Sequence, residues 1–246
     1  MTILFAPSEA KQEGGSACLD RDSFCFPELY EKRLEVALRY SELLEKGPLE
    51  KIKKVTGLKD EKQIERYRTN ILEAPVMKAV ERYSGVAYEY LGYETLAPDG
   101  REYIDEHLII FSNLFGPLCA SDKIPDYKLK QGEHIEGFAP EKFYKEHFSD
   151  ALDEYLQKRG TVVDLRAGFY EKFYKIKSPH ITMKFLKNGK SVSHWAKAYR
   201  GKVLREMAKR AIMDEESLLA MDIENLGIVD IKQIKNRKEI VYEIVQ

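Results

Sequence analysis

Side chains that can transfer protons or bind anions follow three short apolar runs in this chain. Ser8, Glu9 and Lys11 come after the run at 2–5, Ser112 and Asn113 follow the run at 108–111, and Asp164 and Arg166 lie at the end of the run at 161–165. Loops at the ends of interior strands commonly contact ligands, and hydroxyl, ammonium and carboxylate groups suit phosphate binding and proton transfer. We therefore expect the three groups to meet in one pocket, with Ser8, Glu9, Ser112 and Asp164 as catalytic candidates. No pair of nucleophile and base is recognisable from the spacing.

A cationic segment follows the turn at 124–126. Lys128 and Lys130 alternate there with Tyr127 and Leu129. This period of two predicts a strand over 127–132 with one aromatic and aliphatic face and one cationic face. The candidates for phosphate binding are Lys11, Lys128, Lys130, Lys197, Arg200 and Lys202.

The charges of the chain are unevenly distributed. Residues 171–210 contain 12 Lys or Arg and 2 Glu, a local charge of +10, whereas the whole chain carries −1, so the remainder carries −11. A basic region of this size favours a polyanionic partner such as nucleic acid. Solvated charge that serves only solubility explains the same count, and the distribution alone leaves both interpretations open.

Apolar periodicity predicts the elements that position these residues. Strands are expected at 2–5, 108–111 and 161–165, and helices at 27–47, 75–83, 140–158 and 196–212. Hairpins are expected around Asn188-Gly189, with strands at 181–186 and 190–195, and around 235–238. Strands that interleave with helices and end in hairpins predict an α+β fold, in which helices flank a mixed sheet. We expect a single compact domain over residues 1–246.

Residues 49–71 read as two short helices joined by a turn at Thr56, Gly57 and Lys59. This arrangement resembles a helix-hairpin-helix, in which hairpin amides and nearby lysines hold a DNA phosphate. Lys59 occupies the position of the usual second glycine. A plain helical hairpin is therefore the stronger interpretation.

Several classes of protein are disfavoured by composition. No run of about 18 apolar residues is present, and the N-terminal sequence lacks the core of a signal peptide, so we expect a cytoplasmic protein that does not contact membranes. Cys18, Cys25 and Cys119 form no CxxC pair and do not cluster with the histidines. The sequence therefore predicts no disulfide framework, no metal site and no cofactor, and it leaves the oligomeric state open.

Four motifs resemble those of the YaaA family, bacterial proteins associated with resistance to peroxide stress. They are PSEAK at 7–11, SNLFGPL at 112–118 with Asp122, IPDYKL at 124–129 and AKAYRG at 196–201. The resemblance spans almost the whole chain. It implies a single compact body with a basic cleft, a helix-hairpin-helix-like element and DNA binding.

The chain departs from the family pattern at three places. Lys128 stands where the family usually has arginine, which keeps the charge but removes the bidentate fork. Cys119 stands where arginine is common. Residues 164–167 replace a segment that usually ends in serine, so a role tied to that serine does not transfer to this chain.

Two functions follow as hypotheses. The first is a DNA-binding stress protein, which protects DNA or lowers free iron and holds duplex DNA through its phosphates with weak sequence preference. Its expected cleft is lined by Lys128, Lys130, Lys197, Arg200 and Lys202. The alternative is an enzyme that acts on a nucleotide or nucleobase, favoured if a deep pocket joins Lys11, Ser112 and Asp164. A module that binds a protein partner is a third possibility.

Overall fold

Ten strands and nine α-helices are found in residues 1–245, which the computed structural model describes apart from the side chains of residues 193 and 194. The strands are β1 (Thr2–Phe5), β2 (Val76–Lys78), β3 (Leu108–Ser112), β4 (Gly116–Cys119), β5 (Lys123–Pro125), β6 (Val162–Asp164), β7 (His180–Lys187), β8 (Lys190–Ser191), β9 (Leu226–Ile234) and β10 (Arg237–Ile244). The α-helices are α1 (Tyr30–Lys46), α2 (Leu49–Thr56), α3 (Glu61–Glu65), α4 (Ala79–Arg82), α5 (Val86–Leu91), α6 (Pro98–His107), α7 (Pro140–Arg159), α8 (Ser193–Lys209) and α9 (Glu215–Leu219). None of these described helices is both long and apolar enough to cross a membrane.

The main sheet has the strand order β4-β3-β1-β6-β7-β10-β9, and β8 pairs with β7. The five central strands run parallel, while β4 and β9 are antiparallel to their neighbours at the two edges. All four residues of β1 and all five of β3 are buried, as expected for parallel strands covered on both faces. The prediction of a single compact domain with a mixed sheet and flanking helices is confirmed.

The connections of the sheet change direction next to β1. From β1 the chain proceeds to β3 on one side, returns through α7 to β6 on the other side, and continues from β6 to β7. The loops that leave β1 and β6 therefore diverge, and a crevice opens between the carboxyl ends of the two strands. Ligands of open parallel sheets bind at such a switch point.

Helix α8 reaches this crevice because it packs closely on α5. Gly201 makes the approach possible, since a Cβ atom at this position would lie 2.0 Å from the carbonyl oxygen of Ala87. A side chain at 201 would force the two helices apart. The glycine of the AKAYRG motif thus sets the distance between α8 and α5.

The strand predicted over 127–132 is not formed. The strand in this region is β5, which pairs with β2, whereas residues 126–132 are irregular. Their polar backbone atoms bond elsewhere: the Lys128 amide and carbonyl bond to the Tyr40 hydroxyl, and the Lys130 amide donates to Val55 O. Tyr127 and Leu129 are nevertheless buried. The alternation was a burial pattern of an irregular segment and not a strand.

Two other boundaries differ from the prediction. Residues 75–83 contain the short strand β2 before the four-residue helix α4, because β2 pairs with β5. The strand predicted at 190–195 ends at Ser191, and α8 begins at Ser193. The hairpin at Asn188-Gly189 is present, with positive φ at both residues.

Helices α2 and α3 flank the turn at Gly57. Gly57 has φ +71° and ends α2 by donating its amide to Lys53 O, and the Thr56 hydroxyl accepts the Leu58 amide. Lys59 is exposed beside it. The geometry is that of a helical hairpin, and its use as a DNA-binding motif stays a prediction.

Candidate functional site

A pocket of about 810 Å³ lies at the carboxyl ends of β1, β6 and β7. Its lining combines the loop after β1, the loop after β6, part of β7 and the facing sides of α5 and α8. These residues are Phe5, Ala6, Pro7, Ser8, Glu9, Ala10, Val86, Ala87, Tyr88, Gln131, Leu165, Ala167, Gly168, Tyr170, Met183, Lys184, Phe185, Ser191, Val192, Ala196, Lys197 and Arg200. The pocket therefore occupies the switch point of the parallel sheet.

The loop that follows β1 is held from behind by buried polar groups. The Tyr88 hydroxyl donates to Ala6 O at 2.9 Å. Arg82, which is fully buried, donates to Gln12 O at 2.6 Å and Gly14 O at 2.9 Å. Within the loop, the Ser8 hydroxyl accepts the amide of Ala10 at 3.2 Å. This side of the pocket is consequently fixed before any ligand binds.

Three basic side chains line the opposite part of the pocket. Lys184 and Lys197 are exposed, and Arg200 is mostly buried. Within the described part of the chain, none of the three makes a side-chain hydrogen bond or ion pair. Burial lowers the pKa of Arg200, although the charge of Asp164 opposes this, and the guanidinium stays protonated. The pocket thus presents three cations whose hydrogen-bonding capacity is unused among the described residues.

Lys11 and Lys128 contact the loop after β1 but do not line the pocket. The Lys128 ammonium lies 3.3 Å from Glu9 O and 3.9 Å from the Glu9 carboxylate. Lys11 Nζ donates to Ser8 O at 3.3 Å and lies 3.9 Å from the centre of the Tyr127 ring. Burial lowers the pKa of Lys11 to about 7. Both lysines therefore support Ser8 and Glu9 from outside the cavity.

The structure does not bring Ser112 or Asp164 into the pocket. The buried Ser112 hydroxyl accepts the amides of Leu114 and Phe115 and lies 2.8 Å from the Tyr127 hydroxyl. Asp164 is bound by Arg166 at both carboxylate oxygens, at 2.8 and 2.9 Å. Of the four catalytic candidates, the pocket contains Ser8 and Glu9, and Glu9 is the one carboxylate among its described lining residues.

The remaining phosphate-binding candidates are engaged elsewhere. Lys130 forms an ion pair with Glu133 at 3.4 Å, and Lys202 donates to the carboxylate and the carbonyl of Glu224, both at 2.9 Å. Neither lysine lines the pocket, and neither does the turn at residues 56–59. The AKAYRG motif therefore contributes Lys197 and Arg200 to the pocket. The adjacent Lys202 pairs instead with Glu224 outside the pocket.

Lys184 is a pocket residue that the sequence analysis did not single out. It lies in β7 between the buried residues Met183 and Phe185. The alternation of this strand was visible in the sequence and predicts that Lys184 points away from the core. The sequence did not indicate that this exposed position lines the pocket.

A second cluster, distant in sequence, consists of Cys25, Cys119 and Asp122. One potential ligand atom from each lies within 4.8 Å of the other two. The two cysteines are 94 residues apart, so their spacing gave no signal, and no metal site was predicted from the sequence. The topology of the fold creates the cluster.

The fold and the pocket together define an α/β protein with a cationic pocket at the switch point of its sheet. The family model described as peroxide stress protein YaaA matches residues 1–230, and the chain belongs to this family. The resemblance seen in the motifs is thereby confirmed, and membership supports a role in peroxide stress.

Similar curated proteins cover all or most of the chain. An uncharacterized protein of Campylobacter jejuni is 46% identical over 250 residues, which cover all of both chains. A UPF0246 protein of Corynebacterium glutamicum is 32% identical over 258 residues, again covering both chains completely. A UPF0246 protein of Corynebacterium efficiens is 34% identical over 219 residues, or 85% of each chain.

Proposed function

We propose that this protein acts in peroxide stress by binding DNA, with backbone phosphates held by Arg200 and Lys197 at the mouth of the pocket. The observation that carries the proposal is Arg200, a mostly buried guanidinium without a hydrogen-bond or ion-pair partner among the described residues. A charge removed from water without a partner is costly, and a phosphate offers a guanidinium two parallel hydrogen bonds. Binding of a phosphate would relieve this cost.

The arrangement of the neighbouring cations fits the same ligand. Lys197 and Arg200 are three residues apart on α8, so their side chains emerge on adjacent parts of one helix face. Lys184 approaches from β7. Contacts of this kind engage the phosphate backbone and carry no sequence information, so weak sequence preference is expected.

An enzyme that acts on a nucleotide or nucleobase is the second candidate. The observation that favours it is the pocket itself, because a volume of about 810 Å³ is within the range of small-molecule sites. Glu9 would then serve as acid or base, while Arg200 and Lys197 hold a phosphate. Ser112 and Asp164 have no part in this version, since both are bonded internally.

Titration of a fluorescently labelled DNA duplex at several salt concentrations tests the first candidate. If Lys184, Lys197 and Arg200 neutralise three phosphates, the logarithm of affinity should fall with the logarithm of salt concentration at a slope of about −3. No binding at 50 mM salt, or an affinity independent of salt, would contradict the proposal.

A nucleoside monophosphate used as a competitor separates the two candidates. DNA binding through several phosphates predicts that the monophosphate displaces duplex only weakly, because it supplies one of several contacts. Tight binding of the monophosphate together with no binding of duplex would favour the enzyme. Incubation of each ligand with the protein, followed by chromatography of the products, would then reveal a reaction.

A further inference from the structure

We propose that Cys25, Cys119 and Asp122 bind a soft divalent cation, for which Zn²⁺ is the reference. The two Sγ atoms and one carboxylate oxygen all lie within 4.8 Å of one another. Cys25 precedes α1, Cys119 ends β4, and Asp122 lies just before β5. This site lies outside the pocket at the carboxyl ends of the strands and is independent of the DNA proposal.

The donor set selects the class of cation. Two thiolates and one carboxylate suit Zn²⁺ and similar soft ions, whereas Ca²⁺ and Mg²⁺ take oxygen ligands. In a tetrahedral site with Zn–S bonds of about 2.3 Å, ligand atoms are separated by roughly 3.7 Å. Cys25 Sγ and Asp122 Oδ2 are already 3.2 Å apart. The pair at 3.2 Å would have to separate by about 0.5 Å, and any pair near the 4.8 Å limit would have to approach by about 1 Å, to reach the three-ligand geometry.

The ligands are oriented by the surrounding backbone. Asp122 Oδ1 accepts the amide of Cys25 at 2.9 Å, and Oδ2 accepts the amide of Cys119 at 3.1 Å. Cys25 Sγ accepts the same Cys119 amide at 3.0 Å. Such hydrogen bonds hold ligands in place in metal sites. Both cysteines remain partly exposed, so a cation can reach them from solvent.

Arg33 balances the charge of the site. Its side chain is 1% exposed, and it donates to the carbonyl oxygens of Cys25, at 3.0 Å, and Phe115. In the described residues it has no ion pair within 4 Å, and its charge acts on the nearby Asp122 carboxylate. When both thiols are protonated, the charges of Asp122 and Arg33 sum to zero. Exchange of two thiol protons for one divalent cation forms two metal–sulfur bonds, releases two protons and leaves this sum unchanged.

Tyr155 is a polar neighbour of the cluster. Its hydroxyl lies 4.0 Å from Cys119 Sγ. A water molecule between this hydroxyl and the cation would complete four-coordination. The site thus has three protein ligands and one position open to solvent.

Cobalt substitution tests the site in the full-length reduced protein. One equivalent of Co²⁺ should give a thiolate-to-cobalt charge-transfer band, and Zn²⁺ should remove it. Cys25→Ser and Cys119→Ser should each weaken Zn²⁺ binding by at least about tenfold, since each removes a first-choice ligand. Cys18→Ser is the matched control, because Cys18 is exposed and lies outside the cluster. No band at one equivalent, or a band that persists in the Cys25→Ser plus Cys119→Ser double variant, would overturn the proposal.

Alkylation of the unmodified chain keeps the test decisive if a variant does not fold. Zn²⁺ should protect Cys25 and Cys119 from iodoacetamide at least tenfold while Cys18 reacts at its usual rate, as read by mass spectrometry. Equal alkylation with and without Zn²⁺ would overturn the proposal. So would protection that requires peroxide and is accompanied by the loss of two hydrogen masses, because this result means a Cys25–Cys119 disulfide.

Discussion

Arg166 and Arg200 are both largely removed from water near Asp164, but they serve different purposes. Arg166 donates to both oxygens of Asp164 and to the carbonyls of Tyr170 and Tyr174. Arg200 is influenced by the charge of Asp164 yet has no side-chain hydrogen bond among the described residues, and it lines the pocket. Arg166 and Asp164 thus satisfy each other within the fold. The candidate site is instead indicated by hydrogen-bonding capacity that the chain leaves unused.

The first prediction concerns Arg166, the arginine that is bonded to Asp164. Arg166→Ala should lower the free energy of unfolding by about 3–5 kcal/mol, because it leaves the Asp164 carboxylate largely buried without its partner. Urea denaturation followed by circular dichroism measures this loss. Arg166→Lys restores the charge but not the fork and should recover part of it. A loss below about 1 kcal/mol would show that Asp164 does not depend on Arg166.

The second prediction concerns Arg200, the arginine without a hydrogen-bond partner among the described residues. Lys197→Ala plus Arg200→Ala should weaken DNA binding by about 2–4 kcal/mol, since each charge-assisted hydrogen bond contributes roughly 1.5–3 kcal/mol. The free energy of unfolding should not fall by more than about 1 kcal/mol, because no internal bond of the described chain is lost and a costly buried charge is removed. Fluorescence anisotropy with labelled duplex measures the affinity.

Lys142→Ala plus Lys145→Ala is the matched control for this double variant. The two lysines have the same three-residue spacing on helix α7, are exposed and do not line the pocket. DNA affinity should change little. If both double variants weaken binding equally, total charge and not the pocket determines affinity, and the contrast between Arg166 and Arg200 loses its functional meaning.

The third prediction concerns Lys11, which donates a hydrogen bond to Ser8 O but forms no ion pair within the described residues. The folded-state pKa of Lys11 is about 7, below its ordinary value of 10.5. Between these values the unfolded chain binds more protons than the folded chain at this site. Its contribution to the free energy of unfolding should therefore increase with pH from 7 to 10.5, by at most about 1.4 kcal/mol per pH unit.

Lys11→Met removes this titration while keeping an unbranched side chain. The difference in unfolding free energy between the original chain and the variant, measured by urea denaturation at pH 7, 8 and 9, should shift in favour of the original chain as pH rises. A difference that does not vary with pH would mean that Lys11 titrates normally and behaves as a solvated cation.

The smallest effect is expected where a lysine already has an acidic partner. Lys202→Ala should change DNA affinity by no more than about 0.5 kcal/mol, because the ammonium is paired with Glu224 outside the pocket. Anisotropy measured alongside the Lys197 and Arg200 double variant makes the contrast direct. A loss comparable to that of the double variant would place the DNA contact along α8 beyond the pocket.

Local sequence patterns were sufficient for much of the fold. The strands β1 and β3 coincide closely with the apolar runs at 2–5 and 108–111, and α7 begins at Pro140 and ends before Gly160, as its helical period predicted. The strand predicted over 127–132 was wrong, because the alternating side chains of this segment follow burial and no partner strand is present. Its amides and carbonyls bond instead to Tyr40 and Val55, which lie in distant parts of the chain.

The candidate site could be predicted only in part. The AKAYRG motif correctly directed attention to Lys197 and Arg200, both of which line the pocket. Whether a lysine is available depends on neighbours far away in sequence: Lys202 is 22 residues from Glu224. The group formed by Cys25 and Cys119 depends on how β4 lies against the segment before α1, which no local pattern records.

Gly201 sets the distance between α8 and α5 and thereby affects the shape of the pocket. Because its missing side chain allows α8 to lie against Ala87 of α5, the position of Arg200 and Lys197 depends on a residue that carries no charge and does not line the pocket. A side chain at 201 would push α8 away from α5 and displace both cations together. The pocket can therefore be altered while every charged side chain stays the same.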